Sequence, residues 1–187
     1  MNFNRHYNLE GKHAFLGASK YHWINYDEEQ LAQAFLNFMA AQRGTELHDL
    51  AHRLIKLGVK LPTSKRTLNM FVNDAIGYQM ESEQPLYFSE NCFGTADAIC
   101  FKKNTLRIHD LKTGAVAKPS MNQLYIYAAL FCLEYGVDPS SIKMELRIYF
   151  NDEVIVDVPH PEDISAIMDK IIAFDKKLTM LREGRGA

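Results

Sequence analysis

Cysteine is scarce in this sequence. The 187 residues include only Cys92, Cys100 and Cys132, and no two of them form a C-x-x-C pair. A disulfide framework needs an even set of cysteines, and a zinc ribbon or an iron–sulfur cluster needs closely spaced ones. We therefore expect three reduced thiols in the core and no iron–sulfur cluster.

Long apolar runs are missing as well. No stretch approaches the roughly 20 apolar residues of a membrane-spanning helix, and the first residues, MNFNRHYNLEGKH, lack the apolar segment of a signal peptide. These absences predict a cytoplasmic protein without membrane contact. The sequence also has no G-x-x-x-x-G-K-[ST] phosphate-binding loop, so we expect no bound nucleotide and no fused ATPase motor.

An excess of charge of one sign is the third absence. The formal net charge is −2, so composition provides no general attraction to nucleic acid. Any contact with DNA must then come from a local basic patch or from bound cations.

The length and the 47% hydrophobic content fit a single folded core. No internal repeat, low-complexity segment or linker divides the chain. We expect one domain over residues 1–187, with a core at about 43–158, an N-terminal helical extension over 1–42 and a C-terminal helix over 161–182.

Apolar residues spaced three and four apart predict three helices in the first part of the chain. The first follows Asp27, which can cap it together with Gln30 in a capping box. The second starts near Gly44 and ends at Gly58. The third covers residues 64–80.

The period then changes to that of strands. The segments QPLYFSE, CFGTADAICF and LRIHDLK, at residues 84–90, 92–101 and 106–112, predict three consecutive antiparallel strands. Pro119 fits the first turn of an apolar helix that Gly136 ends.

Two further strands, MELRIYF and VIVDV, are joined through Asp152 and Glu153, and an amphipathic helix follows. The order of elements predicts an α/β (α+β) fold in which helices flank a mixed sheet.

The chemistry is concentrated in two of the predicted strands. Asp97 lies within one strand, and Asp110 follows after twelve intervening residues, near the end of the next strand. A hairpin would bring both carboxylates to one sheet edge, where a divalent cation such as Mg²⁺ or Mn²⁺ relieves their repulsion. Strand alternation places Lys112 on the face of Asp110, so its ammonium can orient or help to deprotonate a water molecule for phosphodiester hydrolysis.

This arrangement resembles the PD-(D/E)XK nuclease superfamily, and specifically the RecB-like exonuclease branch that includes stand-alone phage enzymes. The resemblance runs from about Arg43 to Phe150. The segment RGTELH, which ends at His48, is similar to the G-T-x-x-H start of the family's first core helix. Gln123 and Tyr127 match its Q-x-x-x-Y motif.

The resemblance implies a restriction-endonuclease-like core and assigns roles to individual residues. His48, Asp97, Asp110 and the carbonyl of Leu111 would bind the metal. Lys112, Gln123 and Tyr127 would complete the catalytic set. Glu83 is similar to an acidic residue that precedes the family's first strand.

Two assignments stay open at this point. Glu46 and His48 flank the apolar stripe at about 100° to either side, so helical periodicity cannot choose between them as a metal ligand. Contacts to DNA are expected from Tyr127, Arg43 and Lys118, the last because its loop follows the active-site strand.

The resulting expectation is a Mg²⁺- or Mn²⁺-dependent deoxyribonuclease. Exonuclease action, a DNA substrate and partner proteins of recombination, replication or repair follow from the resemblance. Two alternatives remain: an endonuclease of the same fold, and a nuclease-fold module that binds DNA or a partner without turnover. The sequence does not indicate an oligomeric state.

Overall fold

The computed structural model describes residue 7, residues 14–114 and residues 119–184. The chain forms two compact units, residues 1–45 and 46–187, and the boundary falls within the first long helix. The first unit contains a short 3-10 helix, Ala18–Asn25, and most of helix α1, which spans Glu28–Leu57.

Helix α1 begins with the predicted capping box. The amide of Gln30 donates to Asp27 Oδ1 at 2.8 Å, and the amide of Asp27 donates to Gln30 Oε1 at 3.1 Å. The predicted interruption near Gly44 is wrong, because α1 continues through it. A helical glycine costs only about 1 kcal/mol relative to alanine, and the residues around Gly44 keep the helical hydrogen bonds.

After α1 the second unit contains the helices and strands α2 (Thr67–Gly77), β1 (Glu81–Ser89), β2 (Cys92–Lys102), β3 (Thr105–Leu111), α3 (Asn122–Tyr135), β4 (Lys143–Phe150), β5 (Glu153–Asp157) and α4 (Pro161–Glu183). The five strands form one sheet with the order β1-β2-β3-β4-β5. Neighbouring strands are antiparallel, except that β3 and β4 are parallel and are joined through α3. This confirms the predicted mixed sheet flanked by helices.

Several predicted boundaries are wrong by one to three residues, and the predicted helix over 64–80 spans only Thr67–Gly77. Pro119 lies before α3, where the amide of Asn122 donates to Ser120 Oγ at 3.2 Å. The turn between β4 and β5 is formed by Asn151 and Asp152, with φ of 47° and 61°. Two consecutive left-handed residues match the twist of a tight hairpin.

The sheet separates two apolar cores. On one face, residues such as Leu106 and Ile148 pack against α3 and α4. On the other face, Leu111 and Tyr149 pack against α2 and the end of α1. Each sheet face is thus covered where β2, β3 and β4 lie side by side.

The hairpin of β1 and β2 extends beyond the region where both sheet faces are covered. Strand β2 pairs with β3 only from Ala98 to Lys102, whereas it pairs with β1 from Cys92 to Ile99. Residues 92–97 therefore belong to a two-stranded ribbon that projects past the end of β3. None of the helices in the described part of the chain has the length and apolar character needed to cross a membrane.

Candidate metal centre

Three potential metal ligands converge where the ribbon leaves the sheet. His48 on α1, Glu83 on β1 and Asp97 on β2 each offer one ligand atom, and these atoms lie within 4.8 Å of one another. His48 Nδ1 is 3.5 Å from Asp97 Oδ2. One imidazole nitrogen and two carboxylates form a donor set that suits a divalent cation.

A break in strand alternation presents Asp97 to this group. Ala96 is buried in the core beneath α3, whereas Ala98, two residues later, is buried in the core beneath α1 and α2. Regular alternation would put both alanines on one face. Asp97 lies at the break, and its Oδ2 accepts a 2.8 Å hydrogen bond from the amide of Leu111 at the end of β3.

Glu83 lies opposite Asp97, between the paired residues Ser82–Ala98 and Gln84–Ala96. Its φ is 53°, a left-handed conformation that is unusual for a non-glycine residue inside a strand. Burial and the charge of Asp97 raise the pKa of the Glu83 carboxyl. Backbone strain of this kind costs about 1–3 kcal/mol and persists where surrounding contacts enforce it.

Asp110 lies beside the group and is almost completely buried, with 3% of its side chain exposed. Lys112 Nζ donates to Asp110 Oδ1 at 3.1 Å. The same nitrogen is 3.0 Å from Oδ2, but Oδ2 has no hydrogen-bond partner among the described residues. Burial, followed by the charge of Asp97, raises the pKa of Asp110. The Lys112 ammonium thus balances part of the negative charge of this buried carboxylate.

The charge of this site also acts on His48. Its hydrogen bond to Asp97 raises the pKa of the imidazole above 6.5, and the nearby charges of Asp97, Asp110 and Glu83 add to this effect against burial. The carboxylates therefore favour a positive charge at this position. A divalent cation would supply that charge in place of the proton.

The lysine is held in place from α3. Lys112 Nζ donates to Gln123 Oε1 at 2.7 Å, and Gln123 Nε2 donates to the hydroxyl of Tyr127 at 3.1 Å. Burial raises the pKa of Tyr127, so its hydroxyl stays protonated. The Tyr127 ring lies against Gly94, where a Cβ would be only 2.9 Å from Cε1.

Most of the predicted site residues thus lie close together. The amide of Leu111 bonds to Asp97, while a metal-binding role for its carbonyl stays a prediction. Glu46 is exposed and is not among the clustered ligands of the described chain. Arg43 belongs to the first unit and stays a predicted DNA contact, and Lys118 lies outside the described residues.

Sequence reasoning missed two contacts that support the site. Ser82 Oγ and His52 Nδ1 share a 2.8 Å hydrogen bond although they are 30 residues apart, and nothing local in the sequence indicates such a contact. The close approach of Tyr127 to Gly94 also went unpredicted. The one sequence signal for this contact was Gly94, which directly precedes the T-A-D segment.

The comparison with protein families gives one match. Residues 68–147 match a family described as "Protein of unknown function (DUF2800)". The matched segment contains Glu83, Asp97, Asp110 and Lys112 together with Gln123 and Tyr127, whereas His48 precedes it. None of the curated proteins matches the chain. The chain is therefore similar, from α2 into β4, to a family whose description names no activity.

Proposed function

We propose that this protein is a divalent-metal-dependent deoxyribonuclease that hydrolyses phosphodiester bonds. One observation carries the proposal: the ligand group of His48, Glu83 and Asp97 lies beside a buried Asp110 that is paired with Lys112. Structural ion pairs rarely gather three carboxylates at one place, because their mutual repulsion destabilises the fold unless a cation is bound.

The residues of the site divide into ligands and groups that act on the substrate. His48, Asp97, Asp110, Glu83 and the carbonyl of Leu111 would hold Mg²⁺ or Mn²⁺. When bound, the ion would act as a Lewis acid and lower the pKa of a water molecule. Hydrolysis requires a water molecule to attack phosphorus as the bond to the leaving oxygen breaks.

Lys112 is the group best placed to assist that attack. Its ammonium is held between Asp110 and Gln123, at 3.1 Å and 2.7 Å, so its position is fixed before substrate binds. From there Nζ can orient the attacking water and donate a hydrogen bond to the charged phosphate oxygens. The Tyr127 hydroxyl, held by Gln123, can contact a neighbouring phosphate.

Exonuclease action within this proposal rests on the resemblance to the RecB-like branch. The decisive assay uses purified protein with end-labelled linear DNA and closed circular DNA, with Mn²⁺ or with EDTA. We expect metal-dependent release of nucleotides from linear DNA and intact circles. Cleaved circles would instead indicate an endonuclease. Binding of DNA without any cleavage in Mn²⁺ or Mg²⁺ would indicate a module without turnover and would overturn the proposal.

A further inference from the structure

The ribbon that projects from the metal centre has two different faces. On one face, Leu86 and Ala96 are buried against α3, with 1% and 0% of their surface exposed. On the other face, Tyr87 and Phe93 are directly paired across the two strands, and they are 50% and 68% exposed. Within the described residues of the second unit, no helix or strand covers these two rings.

The exposed face is continuous with the metal centre. Gly94 and Ala96 face α3, so Phe93 lies on the opposite face of β2. Asp97 follows on that face, where it is 3.5 Å from His48 of α1. Tyr87 is paired with Phe93, and Glu83 lies opposite Asp97. At about 3.3 Å per residue, the aromatic pair lies roughly 13 Å from the ligand group. That distance corresponds to about four stacked nucleotides at 3.4 Å each.

We propose that this face binds single-stranded nucleic acid, with bases stacked on Tyr87 and Phe93 while the scissile phosphate lies at the metal centre. The inference rests on the proposed nuclease function and specifies its substrate. Exposed aromatic side chains on a sheet surface can stack on any base, since every base has a π-face. Paired bases in a duplex hide those faces, so this surface selects unpaired strands.

The charge of the ribbon specifies how the strand is recognised. Residues 82–101 contain Glu83, Glu90 and Asp97 and no lysine or arginine. The ribbon itself therefore offers no lysine or arginine to phosphates, and its contribution to affinity comes from stacking. Loss of the aromatic rings should consequently leave the salt dependence of binding unchanged, because that dependence counts phosphate contacts.

The test measures binding of the full chain to fluorescein-labelled oligonucleotides by anisotropy, in EDTA so that no cleavage occurs. The probes are oligo-dT, an abasic strand of the same length and a duplex. We expect oligo-dT to bind at least about fivefold more tightly than either of the others. Equal affinity for the abasic strand would overturn the proposal.

Substitutions then locate the effect. Tyr87→Ala and Phe93→Ala should each weaken oligo-dT binding at least about fivefold, with an unchanged slope of affinity against salt. Tyr87→Leu and Phe93→Leu keep an apolar surface but lose the π-face, so they should weaken binding similarly, whereas Tyr87→Trp should retain it. Tyr135→Ala, which removes a tyrosine of similar exposure on α3, is the matched control.

The outcomes separate this inference from the nuclease proposal. Metal-dependent cleavage with unchanged oligo-dT affinity in the Tyr87→Ala/Phe93→Ala double variant would overturn the stacking face and leave the nuclease. It would assign the face to another partner, such as a protein. Stacking-dependent binding without cleavage in Mn²⁺ would remove the nuclease and leave the binding face.

Discussion

Ser82 Oγ and His52 Nδ1 share a hydrogen bond of 2.8 Å that connects β1 to α1 immediately before the strained residue Glu83. The contact fixes the backbone on one side of Glu83, and pairing of Gln84 with Ala96 fixes it on the other. Glu83 is therefore held opposite Asp97 in a conformation that an isolated strand would avoid.

Loss of this contact should weaken the metal site without removing a ligand. A hydrogen bond contributes about 1 kcal/mol, so Ser82→Ala should reduce Mn²⁺ affinity on the order of fivefold. Isothermal titration calorimetry measures the effect, with Ser165→Ala as the control, because the Ser165 hydroxyl donates to the carbonyl of Pro161 in its own helix. Unchanged affinity in Ser82→Ala would show that Glu83 is either held by other contacts or is not a ligand.

The two central carboxylates should be essential for cleavage. Asp97→Asn and Asp110→Asn remove negative charge at nearly constant volume, so the fold should survive while metal-dependent chemistry is lost. Lewis-acid catalysis contributes several kcal/mol, so the rate should fall by about 10²-fold or more. Gel assays of DNA cleavage, with circular dichroism to verify folding, measure this effect. The exposed Asp169→Asn on α4 should behave as wild type, and active Asp97→Asn protein would eliminate the site.

The choice between His48 and Glu46 has a clear pH signature. Metal binding requires neutral imidazole, and the hydrogen bond to Asp97 raises the His48 pKa above 6.5. Mn²⁺ affinity should therefore fall as the pH drops through a value above 6.5. His48→Ala should bind Mn²⁺ weakly at every pH, whereas Glu46→Ala should keep the wild-type profile. The opposite order would transfer the ligand role to Glu46.

The same raised pKa affects stability in the absence of metal. The His48–Asp97 interaction is fully present below the unfolded-state pKa and is lost as the pH rises through the higher folded-state value. Metal-free wild type should thus lose stability relative to His48→Ala across that interval in denaturant titrations.

Gln123 and Tyr127 should matter less than the ligands. They position Lys112 and the substrate. Losing a supporting contact of this type lowers activity roughly 10- to 100-fold. We expect Gln123→Ala and Tyr127→Phe to lower the cleavage rate within that range while Mn²⁺ affinity stays the same. Tyr125→Phe is the control on the same helix, because the Tyr125 hydroxyl bonds to Asp157 instead. Wild-type rates for Gln123→Ala would restrict this helix to a role in the core.

Much of this architecture was predictable because it depends on local patterns. Alternating and apolar segments predicted the five strands, and the spacing of Asp97 and Asp110 placed them on adjacent strands, with Lys112 directly after the second. The capping box at Asp27 was likewise visible in four residues of sequence.

Features that depend on distant contacts were not predictable. Gly44 is a reasonable helix start by composition, yet the helix continues through it. Periodicity left Glu46 and His48 equivalent, and only the position of α1 against β1 and β2 distinguishes them. The left-handed conformation of Glu83 is imposed by its neighbours in space, and a glutamate in sequence gives no sign of it.

The most direct test of the account separates metal binding from catalysis at Lys112. Nucleotide release from end-labelled linear DNA and Mn²⁺ affinity are measured in parallel for wild type, Lys112→Ala and the surface control Lys170→Ala. We expect Lys112→Ala to bind Mn²⁺ at least as well as wild type but to cleave DNA at least about 10²-fold more slowly, while Lys170→Ala is unchanged. Undiminished cleavage by Lys112→Ala, or no metal-dependent cleavage by the wild-type protein, would contradict it.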